Sequence, residues 1–210
     1  MQTQYIAIEG VIGAGKTTLT KKLAARLGTR TLFEQHDENP FLADFYREPK
    51  RFAFQTQLFF LLSRYRQQQE IPQLDLFENV LISDYIFAKD RIFASITLDE
   101  REMRLYDKVA SLLERDIVKP DLVVYLQSST ERLMRHIAKR GRDYEKSMSE
   151  DYIRTLNEAY NQFFFNFSNT PLLVVNTNDI DFVENENDFV DLMQQLKRPV
   201  SGVQYYSPRK

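Results

Sequence analysis

A short apolar run, residues 5–9, leads directly into Gly10-Val11-Ile12-Gly13-Ala14-Gly15-Lys16-Thr17. This is the G-x-x-x-x-G-K-[ST] pattern, set between a strand and a helix. Its glycines let the backbone curl until successive N–H groups point inward at an anion. The helix that follows turns its positive N-terminal end on the same anion. A chance match in a chain of ordinary composition is on the order of 1%, and the strand before it and helix behind it lower that further. Gly10, Gly13, Ala14, Gly15, Lys16, Thr17 and Thr18 are therefore read as a nucleotide phosphate cradle. Lys16 can reach the β and γ phosphates, and the Thr17 hydroxyl can ligate Mg²⁺.

The loop also constrains the fold, because it needs a buried strand before it and a helix after it. Five apolar runs, residues 5–9, 30–34, 80–84, 122–127 and 172–176, read as strands. They lack clean alternation, as parallel strands covered on both faces do. Helical spacing is visible over residues 16–27, 50–69, 99–116, 130–139, 150–167 and 187–196. The expectation is an α/β domain over residues 1–197 with a five-stranded parallel sheet. Residues 198–210, with Pro199, Gly202 and Pro208, read as a C-terminal surface tail.

Composition narrows the functional classes. Lys plus Arg is 28 and Asp plus Glu is 30, a formal net charge of −2. That speaks against bulk electrostatic binding of nucleic acid or of an anionic membrane. There is no cysteine, so disulfides, thiolate metal sites and cysteine nucleophiles are excluded. No run approaches the ~20 apolar residues of a membrane span. The chain reads as cytoplasmic.

A phosphate loop does not say what receives the phosphate, and other residues suggest an acceptor site. Glu34 and Asp84 close the second and third apolar runs. In an open α/β sheet, ligands bind beyond the carboxyl ends of the strands. One carboxylate is then placed to take a proton from an acceptor hydroxyl and the other to hold Mg²⁺. For Glu34 a solvated or helix-capping carboxylate is the plainer alternative, since Asp37, Glu38 and Asn39 follow. Gln57, Leu61 and Arg64 are spaced i, i+4 and i+7, so an amide and a guanidinium share one face of an aromatic-rich helix. Such an amide can read a base edge, although it could equally be solvated. Arg140-Gly141-Arg142 has the position of a lid that closes on phosphates. Lys139 and Arg140 alone would suit a helix C-terminus, and Arg142 beyond the glycine suits the lid better.

Together these residues resemble the deoxynucleoside kinase family, which includes some viral thymidine kinases. The similarity spans roughly residues 5–176 and is strongest in the phosphate loop, residues 46–52, residues 57–64 and residues 140–145. The resemblance implies a three-layer P-loop kinase fold with a short arginine lid, using ATP and Mg²⁺. It implies transfer to the 5′-hydroxyl of a deoxynucleoside, a purine one, with deoxyadenosine ahead of deoxyguanosine. Glu34 looks like the base, Tyr46 and Glu145 like the pair holding the sugar 3′-hydroxyl, and Gln57 like the reader of the nucleobase. Arg64 and Asp90 lie where the family has an arginine and an aspartate near the base. Arg140 and Arg142 look like the lid arginines, and homodimers are common in the family.

One departure from the family's pattern bears on the chemistry. An arginine usually follows the acidic residue after strand three, but here Tyr85 follows Asp84. Lys89, Arg91 or the lid must then supply that charge. His136 likewise stands where a further arginine is common. Two other readings compete. A nucleoside monophosphate kinase would share the fold and need acceptor-side arginines, for which Arg47, Arg51 and Arg64 are candidates. A nucleotide-binding switch of the GTPase kind would carry Asn-Lys-x-Asp, and residues 176–179 lack its lysine.

Overall fold

The strands follow from their composition. β1 (Tyr5–Gly10), β4 (Leu122–Gln127) and β5 (Leu172–Asn176) are almost entirely buried. Two shorter strands, β2 (Arg30–Leu32) and β3 (Leu81–Ser83), complete one side. The computed structural model describes residues 5–71 and 80–207. Residues 1–4 of the expected domain and 208–210 of the expected tail lie outside the described residues.

All strands run parallel in the order β2-β3-β1-β4-β5-β6. The sheet thus has six strands, where five were expected. The sixth, β6 (Val203–Tyr206), comes from the segment read as a surface tail, and it pairs in parallel with β5 from Leu172↔Val203 to Val175↔Tyr206. Pro199 and Gly202 obscured it. Beyond them Val203, Gln204, Tyr205 and Tyr206 alternate exposed and half-buried, as an edge strand does.

Helices flank the sheet: α1 (Lys16–Leu27), α2 (Leu42–Arg47), α3 (Pro49–Glu70), α4 (Lys89–Thr97), α5 (Glu100–Leu113), α6 (Thr130–Arg140), α7 (Glu150–Phe165) and α8 (Glu186–Leu196). Six match the periodic segments. α2 and α4 were not read as helices because they are short, six and nine residues. Local chemistry sets several ends. Asp99 and Glu102 form a reciprocal capping box at α5. Pro49 starts α3. Gly141, at φ 68°, closes α6.

The core lies on both faces of β1, β4 and β5. Tyr125 stacks on Phe164 of α7 with centroids 4.2 Å apart, and Tyr160 packs beside them. Each such ring removes on the order of 150–250 Å² from water. The strand order matters most for function. β2, β3 and β1 are consecutive neighbours, so the residues that follow them emerge side by side at one edge of the sheet.

Candidate active site

The phosphate loop packs against α6 and against the segment that follows β5. Gly13, at φ 86°, sits so close to α6 that a Cβ there would lie 2.8 Å from the Leu133 carbonyl oxygen. Gly15, at φ 93°, faces Phe182 in the same way. These positions need glycine on steric and conformational grounds. Lys16 Nζ donates to the carbonyls of Gly10 at 2.7 Å and Val11 at 3.1 Å, spanning the loop. Burial, and then repulsion from Lys89, bring its pKa down to about 8.

Glu9, which the sequence marked only as a strand end, is fully buried. Its oxygens accept from Gly10 N at 3.0 Å, Ile86 N at 3.0 Å and Tyr160 Oη at 3.3 Å. It therefore ties the first residue of the loop to the turn that follows β3. A charged residue inside an otherwise apolar strand was the available signal.

The carboxylates meet as the strand order requires. Glu34 lies two residues past β2, where residue 34 had been expected to end the strand. The chain leaves the sheet there because Gln67 Nε2 captures the Phe33 carbonyl at 2.8 Å. The Glu34 N–H donates to Asp84 Oδ1 at 2.8 Å, and Thr17 Oγ1 donates to Asp84 Oδ2 at 2.5 Å. Thr17 and Asp84 thus offer two hard oxygen ligands side by side. Among the described residues no cluster of three or more His, Asp or Glu could hold a metal alone. The pair suits an ion completed by phosphate oxygens and water.

The Glu34 side chain is held from two sides. Arg64 donates to Oε1 through Nε at 2.8 Å and also through Nη2, and Lys89 Nζ donates to Oε2 at 2.6 Å. Burial alone would push this carboxyl up. Lys89 and Arg64 outweigh burial and hold it well below the usual carboxylate range. Arg64 Nη1 bonds Asp90, whose other oxygen accepts from Tyr106 Oη at 3.1 Å. Asp90 therefore stands behind Arg64, away from the cavity wall, and acts on the site through the guanidinium.

The open question about the cation after Asp84 has a geometric answer. Tyr85 is fully buried, and its hydroxyl donates to Gln67 Oε1 at 3.0 Å. Arg91 turns outward to Asp107 and Glu114, each at 3.6 Å. Lys89 enters the cavity.

The remaining expected residues line the same cavity. Gln57 is 2% exposed, and its Nε2 donates to Thr97 Oγ1 at 3.3 Å. Tyr46, on α2, stacks parallel to Tyr144 with centroids 6.0 Å apart. Glu145 sits in a 3₁₀ turn, where Arg140 grips both its oxygens at 3.1 and 2.5 Å. Arg142 Nη1 is 3.7 Å from Glu145. Arg140 is the last residue of α6 and Arg142 the first beyond its glycine cap. His136 Nδ1 lies 2.8 Å from the Gly13 carbonyl, so it latches α6 to the loop. Lys16, Thr17, Glu34, Tyr46, Gln57, Arg64, Asp84, Arg140, Arg142 and Glu145 share the cavity with Lys89, Phe93 and Tyr152. Asp90, Thr18 and the loop residues Gly10, Gly13, Ala14 and Gly15 are not on its wall.

Arg47 and Arg51 are exposed and pair with Asp44 and Glu48 on the surface. Arg64 is committed to two carboxylates. The arginines that an already phosphorylated acceptor would need are thus turned away or spent.

Comparison with known proteins agrees. The deoxynucleoside kinase family model matches residues 6–201. The chain belongs to the deoxynucleoside kinase family. This kinase is 33% identical to the deoxyadenosine kinase of Dictyostelium discoideum, covering 96% of this chain and 86% of the relative. It is 35% identical to the deoxyguanosine kinase of Bacillus subtilis (strain 168), covering 92% and 96%. Its fold matches a structure of deoxyadenosine kinase from M. mycoides with bound dATP at a TM-score of 0.81, 28% identity and 93% and 100% coverage. The phosphotransferase reading, and the α/β fold with helices flanking a parallel sheet, therefore stand. Among the described residues no helix is long and apolar enough to cross a membrane.

Proposed function

We propose that this kinase moves the γ-phosphate of ATP to the 5′-hydroxyl of a purine deoxynucleoside, deoxyadenosine ahead of deoxyguanosine, in nucleotide salvage. The observation that carries this reading is a single cavity. It holds Lys16 and Thr17 of the phosphate loop, Gln57 and Arg64 of α3, and Glu34, which bonds Arg64 through its side chain and, through its N–H, the Asp84 that Thr17 also bonds. The relatives named for deoxyadenosine and deoxyguanosine support a purine acceptor.

In this reading the loop amides and Lys16 hold the phosphates, and Gln57 pairs with the base edge. Tyr46 and Glu145 take the sugar 3′-hydroxyl. Glu145 then shares its oxygens between the sugar and the lid. Glu34 accepts the 5′-hydroxyl proton as that oxygen attacks in line. Arg140 and Arg142 neutralise charge that develops on the moving group, and the closed lid keeps water out. Thr17 and Asp84 would hold Mg²⁺, which, when bound, spreads charge over the phosphate oxygens.

We assign residues 1–197 to the kinase domain and the protein to the cytoplasm. We also assign a homodimer, in keeping with exposed Leu62, Leu105, Leu112 and Phe165 on α3, α5 and α7. Light scattering behind a sizing column measures that state.

The test of function is a phosphoryl-transfer assay with the four deoxynucleosides, their ribo-counterparts and their 5′-monophosphates. Deoxyadenosine should be the best acceptor and the monophosphates inert. A monophosphate as the preferred acceptor would sink the reading.

A further inference from the structure

We propose that Lys89 is both the cation of the transfer step and a guard on the base. It caps Glu34 until a bound triphosphate draws its ammonium away, and only then can Glu34 accept a proton. This rests on the reading of Glu34 as the base given above.

The first observation is that neither carboxylate oxygen of Glu34 is available. Oε1 takes two N–H groups of Arg64, and Oε2 takes Lys89. A base needs one oxygen within hydrogen-bond reach of the proton it removes, so one cation must yield.

The second observation is that the two cations are not equally free to do so. Arg64 is clamped from behind by Asp90, which Tyr106 holds in turn. Freeing Arg64 would break a buried network at both ends. Lys89 is 4% exposed, and among the described residues Glu34 is the only hydrogen-bond partner of its Nζ. An ammonium carries three N–H donors, so two remain to be used. Its four-carbon stem can pivot where a guanidinium fork cannot.

The third observation is that positive charge is gathered around one space. Lys16 spans the phosphate loop on one side and Lys89 lies on the other, so two ammonium groups repel each other across one cavity. An anion between the two ammonium groups would relieve that repulsion, and the γ-phosphate is the anion the loop is built to present. Tyr85 and Arg91 leave no other cation after β3 to meet it.

The step then balances as follows. Lys89 turns from Oε2 to the γ-phosphate oxygens. Glu34 Oε2, relieved of one cation, becomes a stronger base and takes the 5′-hydroxyl proton. The bond from O5′ to the γ-phosphorus forms as the bond to the bridging oxygen breaks. That electron pair leaves on the nucleoside diphosphate, and Lys89 stays with the transferred phosphoryl group.

The experiment uses the full chain and two variants. Lys89→Met keeps the length without the charge, and Lys89→Arg keeps a charge. With deoxyadenosine, Lys89→Met should lower kcat by about 10²–10³-fold, the usual cost of one preorganised charge donor. Its KM for deoxyadenosine and Kd for ADP should stay within about threefold, because ground-state binding is little used. Lys89→Arg, which keeps the charge without the pivot, should recover only part of the rate.

In ¹⁵N-lysine-labelled enzyme, the Nζ resonance missing from Lys89→Met should shift with the β,γ-imido analogue of ATP and not with ADP. A Lys89→Met rate within about threefold of wild type would overturn the proposal. An Nζ resonance that responds equally to both nucleotides would do the same. If the wild-type enzyme phosphorylates no deoxynucleoside at all, it is the proposed function that fails. If it does and Lys89→Met matches it, this inference fails alone.

Discussion

The backbone N–H of Glu34 donates to Asp84 Oδ1 at 2.8 Å, joining two carboxylates that lie fifty residues apart. One faces the acceptor side and the other faces Thr17. Through this bond the acceptor half of the cavity and the phosphate half are held in register, so moving either carboxylate disturbs both.

Glu34→Gln should lower turnover by roughly 10²–10⁴-fold, the range of a lost general base. It also leaves Arg64 and Lys89 facing a neutral amide, so the melting temperature should fall. ADP titration separates the two effects: its affinity should be nearly intact. Unchanged turnover would remove Glu34 from the role of base.

Gln57→Ala should raise KM for the deoxynucleoside by about 10-fold or more, as loss of a base-edge amide pair does. KM for ATP should hardly move. Steady-state kinetics with each substrate varied in turn decides it, and equal effects on both would make Gln57 a structural residue.

Asp90→Ala removes the rear anchor of Arg64. Breaking one partner of a buried ion pair costs about 3–5 kcal/mol, so chemical denaturation should show a large loss of stability. In the folded fraction KM for the deoxynucleoside should rise, because Arg64 is no longer fixed. A fully stable variant would show that Asp90 does not carry Arg64.

Nucleotide binding should depend on pH through Lys16. Its pKa is lowered to about 8, so the ammonium is present below that pH and lost as pH rises through it. Bound phosphate favours the charged form, so binding takes up a proton above about pH 8. Calorimetry in buffers of different ionisation heat should find that uptake, with weaker ATP affinity at pH 9 than at pH 7. A flat Kd over that range would contradict it.

Truncation after residue 197 removes β6 and bares the edge of β5, whose residues Leu172 to Val175 are buried. An apolar exposed edge favours association with other chains. The truncated protein should melt about 2–8 °C lower, as a loss near 1–2 kcal/mol implies for a chain of this size. It should also aggregate on heating. Melting and turbidity equal to those of the full chain would mean that β6 contributes nothing.

By itself the sequence determined what local spacing can specify. The phosphate loop, the inner strands, six helices and the α/β class were legible because glycine positions, apolar runs and helical periods are short-range properties. Glu34, Asp84, Gln57 and Arg64 could be singled out for the same reason. Tyr46, Asp90 and Glu145 entered only through family resemblance, since nothing in their own neighbourhoods sets them apart. The tertiary structure alone decided which groups meet. Lys89 and not Arg91 faces Glu34, because α4 turns one inward and the other toward Asp107. Asp90 holds Arg64, Arg140 rests on Glu145, and residues 203–206 pair with β5. Most of these contacts join segments tens of residues apart, and strand order and helix rotation set them, neither of which leaves a period in the chain.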